Sequence, residues 1–248
     1  MEEGEYFDVM PWAKAAGEYL MTFINAEKMP RKLKVCFSNS LANVTHATYR
    51  DLGFAACPDG TFDVYSAGGL GNNPQFGVKV AEGVAPEKIL YYVKAMWLTF
   101  RAYGNYENRG KARTRYMQEA LGGAENYRKA YQEKLQEYWH PGSSWIFPRG
   151  SDGSGRNKRK AEQNRRWKQR VGRTCAGAET AGTLYGYLAS DRWSPNVEEL
   201  CALSDVIRNM EDVEIRLAPD ETAYIINLTG TEVEKSAESN TGQCRDCF

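Results

Sequence analysis

Lys32 and Lys34 stand two apart in the run Met29-Pro-Arg-Lys-Leu-Lys34. Polar and apolar residues alternate through Ser38, which predicts a strand over 32–38 with both ammonium groups on one face and Arg31 on the other. Two like charges side by side repel, and a bound anion relieves that repulsion. A lysine in such surroundings can have its pKa lowered far enough to donate a proton. The chemistry this predicts is capture of a small oxyanion together with proton delivery. Further along, Asn108-Arg109-Gly-Lys111-Ala-Arg113-Thr-Arg115 concentrates four cations. A helix predicted over 109–121 gives Arg109 and Arg113 one face near its N-terminus, where the backbone dipole favours anions. Their planar forks can each clasp a carboxylate at two points. Between the two basic segments, Gly68-Gly69-Leu70-Gly71 lets backbone approach a flat or anionic ligand because no β-carbon intervenes. It lacks the spacing of a dinucleotide-binding loop. Taken one at a time, the three patterns also describe a solvated strand face, a solvated helix face and an ordinary turn.

The remaining chemistry-bearing residues form no comparable group. His46 and His140 have no histidine or carboxylate partner at ligand spacing, and both read as structural or surface residues. The six cysteines, at 36, 57, 175, 201, 244 and 247, follow no disulfide framework. Only Cys244-Arg-Asp-Cys247 has ligand-like spacing, and a cysteine-held cluster needs four thiolates, so no metal ligand is assigned.

The elements that must position these residues follow from periodicity. A helix is predicted over 11–27, strands over 51–56 and 61–66 around the turn Pro58-Asp59-Gly60, and an irregular glycine-rich stretch over 67–74. A helix from Pro86 to about Tyr103 places Ile89, Val93, Met96, Trp97 and Phe100 toward a core, and another over 124–138 buries Tyr127, Tyr131, Leu135 and Tyr138. Residues 149–173 then hold ten basic residues against Asp152 and Glu162, a linker by composition. A second unit resumes with a strand over 183–188, a helix over 196–209 and strands over 213–217 and 223–228. That β-α-β-β order predicts a small α+β unit with helices on one face of a sheet.

Composition restricts the function classes. Thirty-two basic residues balance 32 acidic ones in 248, so no global field selects nucleic acid or a membrane surface. Apolar stretches fall short of a membrane span and the N-terminus has no secretory pattern, so the expected location is the cytoplasm. The basic run has one aromatic, Trp167, for base stacking, which disfavours nucleic acid as its partner.

In order, "KMPRKLKVCFSNS", "HATYRDLGF", "GTFDVYSAGGLG" and "NRGKARTRYMQEALG" resemble the nitrite and sulfite reductase family within its siroheme and 4Fe–4S domain. The later "ELCALSDVIRNMEDVEIRLAPDETAYIINLTGTEVEK" resembles the start of that family's second ferredoxin-like half-domain. The resemblance implies an α+β fold, a mixed sheet with packed helices, followed by a small ferredoxin-like β-α-β-β unit. It divides the chain into a reductase-type domain over 1–140, a basic linker over 141–180, the half-domain over 181–235 and a tail over 236–248. It also implies six-electron reduction of sulfite to sulfide or nitrite to ammonia, with siroheme and a 4Fe–4S cluster as cofactors and ferredoxin or a reductase subunit as electron donor. By the same resemblance Lys32 and Lys34 hold the anion and help deliver protons, and Arg109 and Arg113 meet siroheme carboxylates together with Arg31, Lys111 and Arg115. Gly68, Gly69 and Gly71 lie close to the macrocycle. The family's cluster cysteines come in two pairs beyond the half-domain, and Cys244 and Cys247 match neither. The expectation is therefore a fragment, active only where another chain or the missing segments complete the site. The alternatives are a non-catalytic scaffold or polyanion-binding protein using 149–173, and a truncated, inactive product.

Overall fold

The computed structural model describes residues 5–139, 177–178, 183–188, 197–217, 223–232 and 235. They fall in two compact units, one carrying the described residues up to 139 and the other those from 177 onward.

The first unit is a four-stranded mixed sheet in the order β1-β2-β3-β4, with β1 Val35–Ser38, β2 Leu52–Ala56, β3 Phe62–Ser66 and β4 Val78–Val84. β1 runs parallel to β2, and the other pairs are antiparallel. Leu52, Phe54, Phe62 and Val64 are fully buried and line the centre of the sheet. Phe37 stacks on Phe54 at 4.7 Å, and Phe62 meets Phe7 and Trp12 edge-on. Each such ring removes apolar area worth about 1.5–3 kcal/mol from water. The helices are α1 Met10–Met21, α2 Ile89–Tyr103, α3 Tyr116–Ala120 and α4 Ala124–Tyr138. α2 buries ten residues, among them Ile89, Val93, Met96, Trp97 and Phe100 from the predicted stripe. α4 buries Tyr127, Tyr131 and Leu135 as expected, but Tyr138 lies at the exposed end of the helix. α4 also covers the outer edge of the sheet: Arg128 Nε donates to Lys79 O (2.9 Å) and Gln132 Nε2 to Val80 O (2.5 Å). That edge would otherwise present unpaired carbonyls.

Three predicted elements of the first unit are altered and one strand is added. α1 ends at Met21, with turns rather than helix on to residue 27. β1 starts at Val35 rather than Lys32, because the Lys34 amide is taken by the Asp51 carboxylate (2.8 Å) instead of a ladder carbonyl. The helix predicted over 109–121 is broken. Arg109–Lys111 is a single 3-10 turn whose start is capped by Asn108 Oδ1 accepting from Gly110 N (2.9 Å), and only Tyr116–Ala120 is α-helical. Arg109 and Arg113 consequently do not share a helix face. β4 is an addition; its inward Val78 and Val80 carry the alternation of a half-buried strand.

In the second unit β5 Gly177–Ala178, β6 Thr183–Leu188, β7 Glu214–Leu217 and β8 Ala223–Leu228 form an antiparallel sheet in the order β5-β6-β8-β7, with α5 Val197–Ile207 between β6 and β7. The expected β-α-β-β succession is present, preceded by β5. Leu203 of α5 packs with Ile225 and Leu228, and Ile207, Met210 and Val213 close over them. After β8 the chain turns on a reciprocal cap: Glu232 Oε2 accepts from Thr229 N (2.7 Å) and Thr229 Oγ1 (2.8 Å). The basic run 149–173 and the tail 236–248 lie outside the described residues, as do His140, Cys175, Cys244 and Cys247. Among the described residues, no helix is long and apolar enough to cross a membrane.

Candidate functional site

Asp51, immediately before β2, joins the segments that the sequence singled out. Its side chain is 1% exposed. Oδ2 accepts from the Lys34 amide (2.8 Å) and from Arg113 Nη2 (2.7 Å), while Oδ1 accepts from the same Nη2 (3.0 Å) and from the Thr114 hydroxyl. The main chain extends the junction. Leu52 N donates to Lys34 O (3.1 Å), and Asp51 O accepts from Ala67 N (2.8 Å) at the start of the glycine loop. Lysine segment, glycine loop and arginine segment therefore converge on one residue.

The electrostatics of Lys34 report the same convergence. Burial first, then the charges of Lys32, Arg113 and Arg50, hold its ammonium below the usual lysine range, and Asp51 opposes them. Lys32 and Lys34 are both exposed at the rim, while Arg113 and Arg115 are half-buried. Two guanidinium N–H groups of this set, Arg113 Nε and Arg115 Nε, are buried with no hydrogen-bond partner, as is Nη1 of Arg31, the residue before Lys32 in sequence. Native structures rarely leave such donors unmatched, because each costs about 1–3 kcal/mol of desolvation. Acceptors brought by an anionic guest would satisfy them.

Arg115 explains the glycines. A β-carbon at Gly69 would come within 3.2 Å of Arg115 Cδ and Nη1, and one at Gly71 within 3.2 Å of Nη2. The room left by the absent side chains is filled by this guanidinium, which also lies 4.8 Å over the Tyr116 ring. At Gly68 a β-carbon would meet the main chain of Gly77 and Tyr49 at 2.9 Å, so close backbone packing requires glycine there. The loop is more ordered than its composition predicts. Gly69 and Gln75 exchange two 2.9 Å hydrogen bonds, and the buried Gln118 amide donates to Ala67 O and Phe76 O at 2.8 Å each.

Not every predicted residue joins the group. Arg109 and Lys111 stay exposed on their 3-10 turn and are not among the cations that depress Lys34. Lys111 lines an open cleft with Tyr103, Asn105, Tyr116 and Glu119. His46 occupies a left-handed turn position (φ 58°) and is exposed. Cys36, Cys57 and Cys201 are free, and among the described residues no group of three or more His, Cys, Asp or Glu side chains is arranged to hold a metal ion. Sequence reading missed Asp51, Arg50, Thr114 and Gln118. The Arg50-Asp51 pair was legible as a charge pair entering a strand, but nothing local marks which carboxylate will be buried.

A family model described as the nitrite and sulphite reductase 4Fe–4S domain matches residues 1–138. Among solved structures, the Mycobacterium tuberculosis NirA protein superposes with a TM-score of 0.66 at 19% identity, over 96% of this chain and 40% of that one. At that identity the likeness shows the fold, a mixed-sheet α+β architecture, and the chain spans about 40% of NirA's length. No curated protein sequence matches the chain.

Proposed function

Because the chain belongs to the nitrite and sulphite reductase 4Fe–4S domain family, we propose that the cations gathered at Asp51 receive a carboxylated siroheme and the sulfite or nitrite reduced on it. The observation that carries this reading is the pair of unpartnered buried guanidinium N–H groups on Arg113, tied through Asp51 to the Lys34 main chain, and on Arg115, packed on the glycine loop; Nη1 of Arg31, next to Lys32 in sequence, is a third such donor. A macrocycle bearing several carboxylates supplies the acceptors these donors lack, so the residues fit its periphery. The family carries an iron–sulfur cluster, and the described residues offer no ligand set for one.

When bound, siroheme supplies the iron that holds the anion and passes electrons to it. The chain's own residues do the rest. Arg113 and Arg115 orient the macrocycle through their free Nε–H groups, and Arg31 adds a third contact. Gly68, Gly69 and Gly71 keep the main chain and Arg115 close to the ring. Lys32 and Lys34 neutralise the oxyanion, and Lys34, whose lowered pKa makes its ammonium the stronger acid, donates protons as oxygen leaves. The overall reaction is a six-electron reduction to sulfide or ammonia, with electrons from a donor such as ferredoxin or a reductase subunit.

The test is titration of the purified chain with siroheme, followed by absorbance and thermal melting. A ligand at a hundredfold excess over its dissociation constant stabilises by about 2.7 kcal/mol. The expected result is a raised melting temperature in wild type that disappears in a Lys32→Ala, Lys34→Ala, Arg115→Ala variant, which keeps the buried Arg113–Asp51 pair. A wild-type chain whose spectrum and melting point ignore siroheme overturns the reading.

A further inference from the structure

We propose that Asp51 is a positioning residue: its buried carboxylate ties the Lys34 main chain to Arg113 and Thr114, and so holds the lysine and arginine segments facing one another across the anion site. This rests on the reading of that site as a receptor for an anionic guest.

Three observations carry it. First, the carboxylate is almost completely buried and its interactions join two segments of the site: the Lys34 amide on one, the Arg113 guanidinium and the Thr114 hydroxyl on the other. A carboxylate can accept up to about four hydrogen bonds, and this one is saturated. It has no free lone pair to offer a guest, so its part is to hold other groups. Second, the bonding divides Arg113. Nη2 is committed to Asp51 and Nε is left buried without a partner. The ion pair thereby holds the guanidinium in place while its Nε–H stays without a protein partner. Third, both hydrogen-bonding groups of the Lys34 main chain are anchored, the amide by the Asp51 side chain and the carbonyl by Leu52 N (3.1 Å). Only the Lys34 side chain is left to move.

Asp51 is also the one anion among the charges acting on Lys34; Lys32, Arg113 and Arg50 all push in the other direction. Removing its charge must therefore make the Lys34 ammonium more acidic. A close opposite charge favours the charged form, so its loss moves the Lys34 titration down.

The experiment compares wild type with Asp51→Asn, an isosteric change, using the full chain. Lys34 is titrated by nuclear magnetic resonance without ligand, and siroheme binding is measured across the alkaline range. Anion binding that needs the Lys34 ammonium is lost as pH rises through its pKa. In Asp51→Asn both the Lys34 titration and the alkaline loss of siroheme binding should move down together. A folded variant in which neither moves overturns the proposal. Should the variant not fold, hydrogen exchange at the wild-type Lys34 amide decides. Strong protection supports the anchor, and exchange at the rate of a free peptide overturns it. A wild type that binds no siroheme, together with a shifted Lys34 titration in Asp51→Asn, removes the proposed function and leaves Asp51 as the residue that holds these cations.

Discussion

Replacing Arg113 with methionine isolates the interaction on which the site is built. Methionine keeps most of the length and apolar stem of arginine but leaves Asp51 facing a neutral side chain. Breaking a buried ion pair from one side costs about 3–5 kcal/mol, since the remaining charge stays desolvated. Two features place this case at the lower end. Arg113 is 22% exposed, and Asp51 keeps its bonds from the Lys34 amide and Thr114. The expected loss is therefore about 3 kcal/mol. For a unit of some 135 residues (5–139), an unfolding entropy of about 2.1 cal/mol/K per residue converts this to a fall of roughly 10 °C in melting temperature. Urea denaturation and calorimetry of the whole chain measure it. Combining Arg113→Met with Asp51→Asn should cost less than the two single changes added together, by about 1–3 kcal/mol, because the double variant leaves no unpaired charge. A loss of about 1 kcal/mol or less for Arg113→Met, the value of an exposed pair, would refute the reasoning.

Two further changes separate stability from binding. Gly53 lies in β2 where a β-carbon would sit 1.9 Å from the Ala47 carbonyl oxygen, a backbone atom that cannot step aside. Gly53→Ala should cost more than the roughly 1–3 kcal/mol of ordinary overpacking, seen as loss of a cooperative circular-dichroism melt. Gly71→Ala is the converse. The added carbon meets only the flexible end of Arg115 at 3.2 Å, so stability should stay within about 0.5 kcal/mol while siroheme affinity falls several-fold as the guanidinium is pushed aside.

The sequence determined the parts whose physics is local. The stripe from Ile89 to Phe100 folds as one helix because 3.6-residue periodicity dictates which side is buried, and the same holds for Tyr127, Tyr131 and Leu135. The ordered run of basic and glycine motifs sufficed to place the chain in its family. The tertiary structure alone decided how the cations are arranged. Periodicity predicted a helix carrying Arg109 and Arg113 on one face, yet Arg113 and Thr114 are drawn inward to Asp51, 62 and 63 positions earlier in the chain, and the helix gives way to a turn. The glycine loop likewise owes its shape to Gln118 and Arg115 rather than to glycine's freedom alone. A buried carboxylate looks like any exposed one until distant segments fold around it, because its partners are set by the packing of the sheet and not by its neighbours in sequence.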